Sequence, residues 1–185
     1  MRSPPPELQL LSLASSTKYA RQMATQQRSR IAILAGAKKV IAEVGNYESN
    51  MLDIAARAQV SRATVYNHFA DKEEMMAALL ESEIDRLHQL AASAPSKEAA
   101  LFALSREIST DPALATMVRT DPTDIAKFVT LGIHPLWSKI AQGLSEVFGA
   151  PGAPLILRWL MGQIASPLTE AESQLHAAAL AKALS

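Results

Sequence analysis

The 185-residue sequence predicts an all-α protein. Three observations carry that prediction. Apolar residues recur at helical spacing, as in Ile31, Leu34, Ala37, Val40, Ile41 and Val44. No run alternates Val, Ile, Thr or aromatic residues with polar ones, as a half-buried strand would. The polar breaks carry helix-start chemistry: Ser61, Asp71, Asp111-Pro112, Asp121-Pro122 and Thr169 stand where an oxygen can cap free N–H groups.

Each element follows in order. Residues 1–24 read as a tail, partly ordered at most, because Pro4-Pro5-Pro6 bars a helix start. Helix one is predicted over roughly Gln26–Val44 and ends at Gly45-Asn46. A short second helix covers roughly Met51–Ala58, with Ser49 or Asn50 as its cap. A third opens at Ser61 and reaches Phe69. Asp71-Lys72-Glu73-Glu74 has a capping-box pattern and starts a long helix to about Ala92. Another helix runs from about Ser96 to Ser109, and the two Asp-Pro pairs mark new starts. One long helix is expected over 123–148, bent at His134-Pro135, because proline loses a hydrogen bond and crowds the preceding turn. A loop, "GAPGAP", covers 149–154; Leu155–Ile164 is the next helix, and Thr169-x-x-Glu172 caps the last. About nine helices result: an N-terminal three-helix unit over 25–71 and a larger helical domain over 72–185.

Composition bounds what such a protein does. Hydrophobic residues are 49% and charged residues 19%, enough for a sizeable core. Net charge is zero, but it is unevenly spread. Residues 1–72 hold ten Lys/Arg against five Asp/Glu, and 73–185 hold eight against thirteen, so a basic front meets an acidic back. That asymmetry points to a polyanion partner for the front. The absence of cysteine excludes disulfides and thiolate metal sites. No apolar run is long enough for a membrane span, and a cytoplasmic location is expected. His68, His88, His134 and His176 share no ligand spacing, and no phosphate loop or nucleophile elbow is present. Neither an enzyme, a metal nor a cofactor is expected.

The stretch from Asp53 to Met75 is the most informative. At about 100° per residue, Val65 and Phe69 fall on one side of helix three. Ala63 and Asn67 fall opposite, flanked by Arg62, Thr64 and Tyr66. Helices two and three are too short to stand alone, and the tight turn at Gln59-Val60 joins them as a helix-turn-helix, whose second helix fits a DNA major groove.

These residues carry a resemblance. "AGAKKVIAEVGNYESNMLDIAARAQVSRATVYNHFADKEEM" resembles the DNA-binding domain of the TetR family of transcriptional repressors. The match runs through Gly45-x-Tyr47, Asp53-Ile54-Ala55, Ala58-x-Val60-Ser61, Ala63-Thr64-x-Tyr66-x-His68-Phe69 and Lys72-x-x-Met75, dense over about residues 28–80. Gln59 departs from it, standing where the family usually has a turn glycine, so a different turn is expected there. Gly36 stands where alanine is common and weakens helix one by roughly 1 kcal/mol. The resemblance implies that Arg62, Ala63 and Asn67 face base edges and that Asn50, Thr64, Tyr66, His68 and Lys72 hold phosphates. It implies a ligand-responsive regulator, most often a repressor, that binds a palindromic double-stranded DNA operator as a homodimer. A helical interaction scaffold without an effector is the alternative.

The back half adds hints of its own. Apolar residues surround the helix from Leu155, so both its sides should be buried, one against a second subunit. Ile156, Trp159 and Leu160, with Leu175 and Ala179 of the alanine-rich last helix, are the expected dimer contacts. Phe102, Met117, His134 and Trp137 are the expected effector-pocket residues. With few charges inside, the expected effector is a small apolar molecule carrying one or two polar groups.

Overall fold

The computed structural model describes residues 6–130 and 135–184, with side chains over 19–129 and 136–184. Among the described residues there are ten helices and no strand: α1 Pro6–Glu48, α2 Met51–Arg57, α3 Arg62–His68, α4 Lys72–Ala92, α5 Lys97–Ser109, α6 Pro112–Thr120, α7 Pro122–Thr130, α8 Pro135–Phe148, α9 Ala153–Ala165 and α10 Glu170–Ala183.

The N-terminal end differs from the sequence reading. α1 is described from Pro6, so much of the expected tail is helix. Its side chains from Tyr19 to Arg28 are exposed. The helix expected over 123–148 is described as α7 to Thr130 and α8 from Pro135, and the bend expected at His134-Pro135 lies outside the described residues. His134, expected in the effector pocket, lies outside them too.

The buried stripe of α1 is Ile33, Leu34, Ala37, Val40 and Ile41. Ile31 is 57% exposed: it sits about 200° around the helix from Ile33, the true centre of the stripe. Val44 is exposed near the helix end. The helix breaks at Gly45, whose φ of 84° suits glycine. Gly36 has a positive reason too. A Cβ there would lie 2.9 Å from the Cβ and backbone N of Ala58, so glycine lets α2 approach α1.

Two apolar clusters organise the chain. The first joins α1, α2 and α3 with Met75 and Leu79 of α4 and Ala113 of α6. The second joins Ala91, Leu101, Leu104, Leu144, Phe148, Ile156 and Leu160. Helix α4 belongs to both and bridges them. In the second cluster α10 packs chiefly on α5. A buried polar knot reinforces that packing: Ser105 Oγ lies 2.7 Å from Gln163 Oε1 and 2.8 Å from Ser173 Oγ. Satisfied groups of this kind cost little to bury. Among the described residues no helix is long and apolar enough to cross a membrane.

Candidate nucleic-acid interface

The α2–α3 pair is built from its caps inward. Asn50 caps α2, its Oδ1 accepting from Leu52 N and Asp53 N at 3.0 Å each. Ser61 caps α3, accepting from Thr64 N at 3.0 Å. Ile54, Ala55, Val65 and Phe69 are buried and fix the pair to α1. The turn between the helices does not differ from a glycine turn: Gln59 itself adopts the left-handed backbone, φ 56°. Tertiary packing of two short helices imposes this at roughly 1 kcal/mol of local cost.

The outer face of α3 presents Arg62, Ala63, Tyr66 and Asn67, all exposed. The Arg62 guanidinium stacks 5.3 Å from the Tyr66 ring centroid. Thr64 and His68 are half-buried; Thr64 Oγ1 lies 2.8 Å from Ser61 Oγ, and the His68 ring sits beside Phe69. A depression lined by Ser49, Asn50, Arg62, Tyr66 and Lys72 opens between the start of α2 and α3.

Lys72 is placed differently from the sequence expectation. Its ammonium donates to the carbonyls of Asn46 at 2.8 Å, Ser49 at 2.9 Å and Tyr47 at 3.3 Å. Three donors meet three acceptors, so no proton is left over for a phosphate. Lys72 instead closes the turn between α1 and α2. The same turn is held from the other side by Asp121, which sequence reasoning treated only as a helix cap. Its carboxylate accepts from Asn46 N at 2.9 Å, Tyr47 N at 2.8 Å and Thr120 Oγ1 at 2.6 Å. Burial pushes its pKa up. The bonds from Thr120, Tyr47 and Asn46 and the charge of Lys72 outweigh that, holding it below the usual carboxylate value. Thr116 Oγ1 also donates to the Ala42 carbonyl at 2.8 Å. The α6–α7 corner is therefore bonded to the base of the helix-turn-helix. No local signal marks this, because 74 residues separate the partners.

The α6–α7 corner also borders a cavity of about 420 Å³. Its walls are mainly apolar and include Met76, Leu104, Met117, Ile125, Phe128 and Trp137. Met117 and Trp137, two of the residues expected in an effector pocket, are among its lining. Phe102 does not line it: it sits about 160° around α5 from Leu104, under the Arg106 guanidinium. Ion pairs ring the rim. Lys38 bonds Glu83 and Asp111, each at 2.7 Å. Burial lowers the Lys38 pKa, but these two partners outweigh it and hold it raised.

The expected dimer residues divide. Ile156 and Leu160 are buried within the chain and offer nothing to a second subunit, because α9 turns that face onto the second cluster. The outward side keeps Leu155, 50% exposed, and Leu175, 68% exposed. Trp159, half-buried, lies against the His176 ring, and Ala179 is exposed.

A helix-turn-helix with an exposed polar face is thus joined by a shared helix to a larger helical unit with an apolar cavity. Residues 33–79 match the family model described as "Bacterial regulatory proteins, tetR family". Over these residues the chain is similar to the DNA-binding domain of the TetR family of transcriptional regulators. It is 32% identical over 63 residues to the HTH-type transcriptional regulator HbdR of Aromatoleum sp. (strain CIB), spanning 34% of this chain and only 28% of that protein. In fold it is similar to the TetR family repressor AlkX from Dietzia sp. strain DQ12-45-1b, with a TM-score of 0.58, 17% identity, and coverage of 84% of this chain and 94% of that one. It also resembles a transcriptional regulator from Rhodococcus sp. Rha1, with a TM-score of 0.55, 24% identity, and coverage of 84% and 95%.

Proposed function

We propose that this chain is a repressor that binds an inverted-repeat DNA operator as a homodimer and is released by a small apolar molecule. Residues 25–71 are the reading domain and 72–185 the regulatory and dimerisation domain. One observation carries the reading: the exposed face of α3, where Arg62, Ala63 and Asn67 offer a guanine fork, a methyl and an adenine-pairing amide to base edges. Tyr66, Thr64, His68 and the Asn50 end of α2 grip phosphates around it, while Lys72 acts by fixing the turn they depend on. One α3 makes few contacts. Two, related by a two-fold about one DNA turn apart (roughly 34 Å), read successive grooves. Leu155, Trp159, Leu175 and Ala179 are the surface for that two-fold.

The effector acts through the corner between α6 and α7. Met117, Ile125 and Phe128 line the cavity on either side of that corner, and Asp121 in it holds the turn leading into α2. A ligand that favours a displaced corner changes the spacing of the two reading helices.

The test is a gel shift on the DNA upstream of the protein's own gene. Binding should fall steeply with salt. The N67A and R62A variants should each lose about 1–3 kcal/mol on that operator. A monomer in solution, or full affinity retained by the R62A/Y66A/N67A triple variant, refutes the proposal.

A further inference from the structure

The cavity's chemistry narrows the class of molecule it takes. A volume of about 420 Å³ holds roughly a dozen non-hydrogen atoms at about 30 Å³ each. Every lysine and arginine that lines it among the described residues is already paired. Lys38 is held by Glu83 and Asp111, Arg86 by Glu107 at 2.7 Å and Glu83 at 3.0 Å, and Lys139 by Asp85 at 2.7 Å and Glu81 at 3.1 Å. An anionic ligand would find no free counter-charge, and burying an unpaired carboxylate is costly.

Two lining side chains do keep a buried ring nitrogen without a hydrogen-bond partner: Trp137 Nε1 and His88 Nδ1. Such atoms are uncommon in a folded interior and ask for an explanation. The Trp137 nitrogen can only donate. Its ring is held 4.8 Å from that of Phe128. The His88 Nε2 lies 3.5 Å from Glu146 Oε2; in the tautomer with its proton on Nε2, Nδ1 is an acceptor. Nδ1 packs against α8 at Gly143, where a Cβ would stand 2.8 Å from it. A hydroxyl is the smallest neutral group that both accepts and donates.

We infer that the ligand is a neutral amphiphile, an apolar chain of roughly ten to fourteen non-hydrogen atoms bearing a single hydroxyl, and that carboxylates and phosphate-bearing esters are rejected. This rests on reading the cavity as the effector site.

The experiment uses the full chain with 1-decanol and decanoate, equal in carbon number and different in charge. The W159F variant leaves Trp137 as the sole indole of the two in the chain. Its emission should shift on adding decanol. Calorimetry on the unaltered protein at neutral pH should show decanol binding about tenfold or more tightly than decanoate. The W137F variant, which keeps the ring and removes the donor, should bind decanol about fivefold more weakly, with an unchanged helical spectrum. Decanoate binding as tightly as decanol overturns the inference. So does unchanged decanol affinity in W137F. If neither probe binds, the inference and the effector reading fall together, whereas operator binding in the gel shift is a separate result and keeps the DNA-binding reading intact.

Discussion

Asp121→Ala is the perturbation with the largest expected reach from the smallest change. It removes a carboxylate that accepts two backbone N–H groups at 2.8 and 2.9 Å and a hydroxyl at 2.6 Å. Hydrogen bonds to charged groups contribute about 1.5–3 kcal/mol each, and neighbouring bonds are not additive. Tyr47 is exposed, so water can partly replace the lost acceptor at its N–H. The expected loss is therefore about 2–4 kcal/mol in urea unfolding. Asp121→Asn keeps one acceptor and should lose about half of that. The pH dependence separates charge from mere packing. The native pKa is below the ordinary carboxylate value, so the unfolded state binds the proton more readily. The stabilisation is then present above the ordinary carboxylate pKa and disappears as pH falls through the depressed native value. The gap between wild type and Asp121→Asn should be full at neutral pH and shrink in acid across that window. A gap under about 0.5 kcal/mol at neutral pH, or one that stays constant into acid, refutes the clamp.

Three further outcomes follow from the same geometry. Gln59→Gly relieves a left-handed strain of about 1 kcal/mol while adding freedom to the unfolded chain, so a net gain of about 0.5 kcal/mol is expected in the urea midpoint. Gly36→Ala, which would stabilise an unobstructed helix, should instead destabilise by about 1–3 kcal/mol, because its Cβ meets Ala58 at 2.9 Å; a rise in thermal midpoint would contradict that packing. Leu175→Glu places a charge on the outward face of α10 and should shift sedimentation toward monomer with little loss of helical signal, whereas Ile156→Glu should unfold the chain.

What the sequence determined by itself was local. Caps at Asn50, Ser61, Asp71 and Thr169, the stop at Gly45 and the polar face of α3 depend on residues within a turn or two of one another, and each stands in the structure where the pattern placed it. The helical character of the chain followed from apolar spacing for the same reason. Tertiary structure decided everything that depends on groups far apart in the chain. It turned Lys72 from a surface cation into the bond that closes a turn, because three carbonyls 23 to 26 residues away converge on it. It gave Asp121 a partner outside its own helix, made Gly36 a point of contact rather than a weakness, and turned Ile156 and Leu160 inward. It also forced Gln59 into a glycine's backbone. A helical repeat tells which residues share a face. Only the packing of whole helices tells which of those faces meet, and which are left for a partner.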